Sequence, residues 1–165
     1  MTLELRVVGG NDASDISLHR LLQDWGEGAS SFAGGQGAPS EPGDATWIHS
    51  FFDTSSWTTA GGDFAATATA TSGVDPSISN VGSWSSIPLL ADVQAALDDP
   101  ASYFGWILIG DESTNGTTLT FGSREQLLST DRPSLTLNYV PEPATGLQLA
   151  VGLALLATQR RRARA

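Results

Sequence analysis

The chain has 165 residues and a net charge of −10, with no cysteine and no lysine. Disulfides and thiol catalysis are therefore excluded, and so are a P-loop and a Schiff-base mechanism, which need lysine. Residues 1–141 hold four arginines against seventeen acidic residues, a net charge of −13. Because such a surface repels phosphate backbones, nucleic acid is not an expected partner.

Alternating apolar and polar residues predict strands along the first half of the chain. The predicted strands cover residues 3–8, 16–22, 46–51 and 64–70. Between the second and third strands, residues 26–45 are rich in Gly and Pro and predict a long loop. Loops of this length in a compact domain are often functional.

The second half of the chain predicts more strands and one short helix. The strands cover residues 83–90, 105–110, 119–121 and 135–139. Asp92 is the predicted helix cap and Pro100 its end. The apolar run 105–110 is expected to be buried on both faces, and the turn at Asn115-Gly116 predicts a hairpin into the next strand. About eight strands separated by turns favour an all-β, jelly-roll-like β-sandwich.

The C-terminal residues differ from the rest of the chain. Pro141-Glu142-Pro143 is followed by an apolar run over residues 146–158 and then by Arg160, Arg161 and Arg162. This order resembles the PEP-CTERM sorting signal, whose members are cleaved by an exosortase in the inner membrane. The resemblance implies an exported protein of the cell envelope or exterior, held transiently in the inner membrane by a C-terminal apolar helix. An alternative is an amphipathic or buried terminal helix.

A second resemblance covers roughly residues 3–140. Its pieces occur in order as Asp24-Trp25-Gly26-Glu27-Gly28, Gly43-Asp44-Ala45-Thr46-Trp47, Gly61-Gly62-Asp63-Phe64, Ser123-Arg124-Glu125 and Arg132-Pro133-Ser134-Leu135. Together they resemble the C-terminal part of a DNRLRE domain, a β-sandwich related to carbohydrate-binding modules. The chain is thus divided into a domain at 1–140 and a sorting segment at 141–165.

The chain departs from the DNRLRE pattern at its start. The family's first strands are missing, and Met1 leads directly into a strand without a signal peptide. The expectation is therefore a gene that begins upstream of Met1 and encodes a signal peptide and further strands. Without those strands, the sandwich would leave apolar faces and strand edges uncovered.

Tryptophans are the candidate ligand-binding residues. Trp25 and Trp57 lie in predicted loops, where they would stack on a sugar ring or plug the core from outside. Trp47, Trp84 and Trp106 lie on predicted strands and are expected in the core. The resemblance to carbohydrate-binding modules makes an extracellular polysaccharide the candidate ligand.

Four aspartates in Gly-rich turns are candidate ligands for a structural calcium ion: Asp12, Asp15, Asp44 and Asp63. The alternative is that they only form turns, as Asp often does. His19 and His49 lie on predicted strands and are interpreted as ordinary strand residues. No other cofactor is indicated.

Three functions fit these observations. The first is a non-catalytic surface or matrix protein that binds polysaccharide, and this is the function that we expect, without enzymatic activity. The second is a polysaccharide lyase or glycosidase that uses loop carboxylates, whose separation sequence does not reveal. The third is a structural envelope module without a ligand.

Overall fold

The computed structural model describes residues 1–10, 12–30, 37–111 and 113–139. The elements, in chain order, are β1 (Thr2–Gly9), β2 (Ser14–Arg20), β3 (His49–Phe51), β4 (Ser55–Ser56), β5 (Ala70–Val74), β6 (Val81–Trp84), α1 (Ile87–Asp98), β7 (Trp106–Gly110), β8 (Thr120–Phe121) and β9 (Ser134–Thr136). All strand pairs are antiparallel. The predicted all-β class with one short helix is confirmed, and the predicted C-terminal helix lies outside the described residues.

Two sheets share one core. In the first sheet, β1 pairs with β6, β8 and β9, and in the second the order is β5-β2-β7. Leu5 of β1 and Leu18 of β2 belong to the same buried cluster. Trp84 is fully buried, and its indole Nε1 donates a hydrogen bond of 2.9 Å to the carbonyl of Ile16, which joins the two sheets. Burying a side chain of this kind contributes roughly 1.5–3 kcal/mol or more.

The helix begins earlier than its sequence predicts. The strand expected at 83–90 ends at Trp84, and α1 starts at Ile87. Ser86 is the N-cap, because its hydroxyl accepts a 2.9 Å hydrogen bond from the Leu89 amide, and Pro88 in the first turn suits a helix start. Asp92, the predicted cap, lies inside the helix instead.

Two predicted strands are shorter or displaced. The strand expected at 46–51 is reduced to β3, which pairs with β4 in a small hairpin. Of the segment 64–70, only Phe64 forms an isolated bridge, and β5 starts at Ala70. The segment still lies beside β2, since the Ala65 and Thr69 amides donate to the Arg20 and Leu18 carbonyls at 2.8 and 2.7 Å. Four residues of the segment therefore span two residues of β2, which interrupts the regular ladder.

The predicted hairpin at Asn115-Gly116 is wrong. β7 pairs with β2, while β8 pairs with β1 in the other sheet, so the connection crosses between sheets. Expected burial of β7 on both faces is also wrong, because its residues Trp106 to Ile109 are only half-buried at a sheet edge. The last strand, β9, ends at Thr136, and Tyr139 is exposed.

Candidate functional site

Four tryptophans surround one cleft at the end of the sheet β5-β2-β7. The cleft has a volume of about 340 Å³ and is called the tryptophan cleft here. Its lining consists of Leu21, Trp25, Ala45, Thr46, Trp47, Trp57, Gly61, Trp106 and Ile107. Because none of these side chains is titratable, the cleft is an uncharged site on an acidic protein. Concave apolar sites of this size are typical of small-molecule binding.

The β3–β4 hairpin brings two of the tryptophans together. Trp47 precedes β3, and Trp57 follows β4. The Trp57 amide donates to the Ile48 carbonyl at 3.0 Å, and the Gly61 amide donates to the Trp47 carbonyl at 2.7 Å. Both residues line the tryptophan cleft.

Three of the four indoles are held by hydrogen bonds from their ring N–H. Trp25 Nε1 donates to the Phe104 carbonyl at 2.8 Å, and Trp57 Nε1 donates to the Thr46 carbonyl at 2.9 Å. Trp106 Nε1 donates to a carboxylate oxygen of Asp92 at 2.9 Å, and Thr69 Oγ1 donates to the same oxygen. Fixed ring planes reduce the entropy lost when a ligand stacks on them.

Trp47 presents the most open face of the four rings. It is 73% exposed, against 38% for Trp25, so its expected place in the core is wrong. The residue lies outside the core because β3 starts only at His49. Gly61 lies against the Trp47 ring, where a Cβ would come within 2.7 Å of Cη2. The absence of a side chain at Gly61 therefore permits the observed position of Trp47.

Trp25 and Trp57, the predicted sugar-stacking residues, both line the cleft. Trp57 is half-buried, and neither ring is a buried plug. Sequence reasoning missed Trp47 and Trp106 as lining residues. Trp47 lies six residues before and Trp57 four residues after the turn residue Asp53, which has a positive φ of 61°. That spacing was the signal that would have placed both at the same end of a hairpin.

Two of the four predicted calcium ligands hold the loops beneath the cleft. Asp44 accepts a 2.7 Å hydrogen bond from the Glu41 amide, and Asp63 accepts bonds from the Thr58 and Thr59 amides at 2.7 and 2.9 Å. These backbone bonds lower the pKa of the Asp44 and Asp63 carboxyls from their ordinary value. Both aspartates therefore act as turn-forming residues.

The other two predicted calcium ligands lie elsewhere. Asp12 and Asp15 are at the start of β2, and Asp15 pairs with Gly73 of β5. Among the residues that the structure describes, no three acidic or histidine side chains form a group suited to a metal ion. The calcium prediction stays a prediction.

Neither histidine lines the cleft. His19 makes hydrogen bonds of 2.8 Å with the Ala65 carbonyl and 3.0 Å with Ser17 Oγ, and His49 Nδ1 lies 3.1 Å from Thr46 Oγ1. Among the described residues, the lining of the tryptophan cleft includes no carboxylate and no histidine.

No family model, curated protein or solved structure matches the chain. The sorting motif Pro141-Glu142-Pro143 and the basic cluster Arg160, Arg161 and Arg162 lie outside the described residues. Within residues 1–139, apart from the gaps given above, no helix has the length and hydropathy needed to cross a membrane.

Proposed function

We propose that the protein is a non-catalytic, exported surface or matrix protein that binds a neutral polysaccharide in the tryptophan cleft. The observation that carries this proposal is the convergence of Trp25, Trp47, Trp57 and Trp106 on one uncharged cleft. Flat indole faces suit the apolar faces of sugar rings.

The charge of the protein selects between glycan classes. Residues 1–141 carry a net charge of −13, and the cleft contains no cation to offset it. An acidic polysaccharide would therefore meet a repulsive field without an ion pair in return. A neutral glycan is free of that repulsion, and neutral glycans are the proposed ligand class.

The finer architecture is proposed as a jelly-roll sandwich of the DNRLRE type. Support comes from the two sheets that share a core and from the open side of the sandwich. There, a cavity of about 280 Å³ lies between the edge strands β7 and β8, lined by Ile16, Leu108 and Phe121 among others.

The cellular fate is proposed from the C-terminal sequence alone. Pro141-Glu142-Pro143 would be recognised by an exosortase-type enzyme, with the apolar run and the arginines as a transient inner-membrane anchor. Intact mass of the protein recovered outside the producing cells tests this. We expect a C-terminus near residues 140–145, and an exported form that still carries Arg160 would contradict it.

The binding proposal is tested by titrating the protein with soluble neutral β-glucan and with alginate, an acidic polysaccharide. We expect tryptophan fluorescence to change to saturation with the neutral glycan only. The same mixtures are assayed for new reducing or unsaturated ends. Release of such ends would favour a degrading enzyme. No change in tryptophan fluorescence with the neutral glycan, and no release of ends, would favour a structural module.

A further inference from the structure

A second cavity lies at the opposite end of the sheet β5-β2-β7 and is called the acidic cavity here. It has a volume of about 450 Å³. The lining includes Ser14, Asp15, Asp75, Asp111, Thr114 and Thr117. β2 begins here, while β5 and β7 end here, so three strand ends bring residues from distant parts of the chain together. The Asp111 amide donates to the Asp15 carbonyl at 3.1 Å and closes this edge.

Among the described residues, the lining of the acidic cavity contains several carboxylates and no basic side chain. Three of its lining residues are aspartates, and no arginine lines it. The salt bridges found in the described part of the chain involve Asp131, Glu27 and Glu125 instead. Hydrogen bonds from Ser77 lower the pKa of Asp75, and those from Ser113 lower the pKa of Asp111. Both carboxylates therefore stay ionised at neutral pH.

Ser14 supplies an independent sign of a missing ligand. It lies on the core-facing side of β2 and is only 8% exposed. Its Oγ is buried and has no hydrogen-bond partner among the described residues. Buried hydroxyls nearly always have a partner, because an unpaired one loses its hydrogen bonds to water. Since Ser14 also lines the cavity, a bound molecule is able to provide that partner.

We propose that the acidic cavity binds a small organic cation with a primary ammonium group. An ammonium presents three hydrogen-bond donors and a positive charge, which match carboxylates and a hydroxyl acceptor. The volume of about 450 Å³ is many times the roughly 30 Å³ share of one water molecule, so a ligand of several heavy atoms fits. Thr114 and Thr117 add hydroxyls for further polar groups of the ligand.

Calorimetric titration with four small molecules tests the proposal. It also shows whether the cavity binds any primary ammonium or only one attached to a sugar. Glucosamine, N-acetylglucosamine and glucose have similar shapes, but only glucosamine is cationic, and putrescine carries ammonium groups without a sugar. We expect glucosamine to saturate one site and the two uncharged sugars to bind at least tenfold more weakly there. Binding of putrescine as well would identify the ammonium as sufficient, whereas its failure would assign the cavity to amino sugars.

Substitutions test whether glucosamine binds in the acidic cavity. Asp75→Asn and Asp111→Asn should each weaken glucosamine binding about tenfold, whereas Glu4→Gln, the same change in charge on the other sheet, should leave it unchanged. Trp47→Ala should also leave it unchanged, since the inference does not rest on the tryptophan cleft. Equal affinity for glucosamine and glucose, or saturation by calcium chloride alone, would overturn the proposal.

Ser14→Ala separates a ligand-binding hydroxyl from a merely structural one. Because the hydroxyl has no hydrogen-bond partner among the described residues, its removal should leave the melting temperature of the free protein unchanged or higher. The same change should weaken glucosamine binding by several fold. A lower melting temperature with unaltered glucosamine affinity would show that Ser14 has a structural partner, and the proposal would fail.

Discussion

The tryptophan cleft and the acidic cavity lie at opposite ends of the same three strands and differ in almost every chemical property. β2 alone separates them by about 20 Å, given roughly 3.3 Å per residue over its seven residues. One end is uncharged and aromatic, and the other holds three aspartates and a buried hydroxyl. The strands provide the shared core, while the loops at each end set the chemistry. The negative net charge of the chain is therefore reflected in the acidic cavity and not in the lining of the tryptophan cleft.

We expect the largest effect from a substitution of Trp106, because this residue lines the cleft and also packs against the core. Trp106→Ala removes a half-buried ring that packs against the core cluster and its hydrogen bond to Asp92. We expect a loss of about 3 kcal/mol in the free energy of unfolding and loss of glycan binding. Urea denaturation measures the first quantity. Trp25→Ala, a more exposed cleft residue, should cost clearly less stability, and equal losses would contradict this placement.

Gly61→Ala should disturb the cleft more locally. Gly61 has a φ of 96°, and an added Cβ would lie 2.7 Å from Trp47 Cη2. We expect a loss of about 1 kcal/mol or more in stability and a glycan affinity several-fold lower, because the Trp47 ring must move. Gly37→Ala is the control, since its φ of 74° is also positive but no atom of the described residues lies within 4 Å of the added Cβ. The control should share the strain but bind glycan normally.

Acid should have the smallest effect, and it should lower the stability of the protein at a pH where glycan affinity no longer serves as the readout. The pKa values of Asp44, Asp63, Asp75 and Asp111 are lowered in the folded protein. Their contribution to stability is therefore complete above the unfolded value of about 3.8 and is lost as pH falls through the lower folded values. Melting temperatures should be flat from pH 6 to 5 and fall below pH 4. Glycan affinity should not change between pH 8 and 5, since the cleft contains no titratable group.

The main strands and the buried Trp84 were predictable because alternation of apolar residues reports directly on a half-buried strand. β1 agrees with its prediction to within a residue or two at each end. Prediction failed where pairing depends on distant partners, as for β8, which joins β1 rather than β7. Helix α1 was placed too late because Asp92 resembles a cap, although its carboxylate instead accepts bonds from Thr69 and Trp106.

The sites were predictable only in part. Trp25 and Trp57 were identified as loop residues, but Trp47 was assigned to the core because the run 46–51 alternates like a strand. A turn-forming role for Asp44 and Asp63 is one of the two alternatives, and the backbone bonds that their carboxylates accept agree with it, while the calcium alternative stays a prediction. The acidic cavity was not predicted, because Ser14, Asp75 and Asp111 are distant in sequence and meet only through the strand order β5-β2-β7.

The most direct test of the cleft's function is calorimetric titration of a soluble neutral β-glucan into wild type, Trp47→Ala and Tyr139→Ala. Tyr139 is 81% exposed and lies outside the cleft, so it controls for loss of an exposed aromatic side chain. We predict that Trp47→Ala weakens binding at least tenfold, with an unchanged melting temperature, while Tyr139→Ala binds as wild type does. Equal binding by all three proteins would contradict the tryptophan cleft as the polysaccharide site.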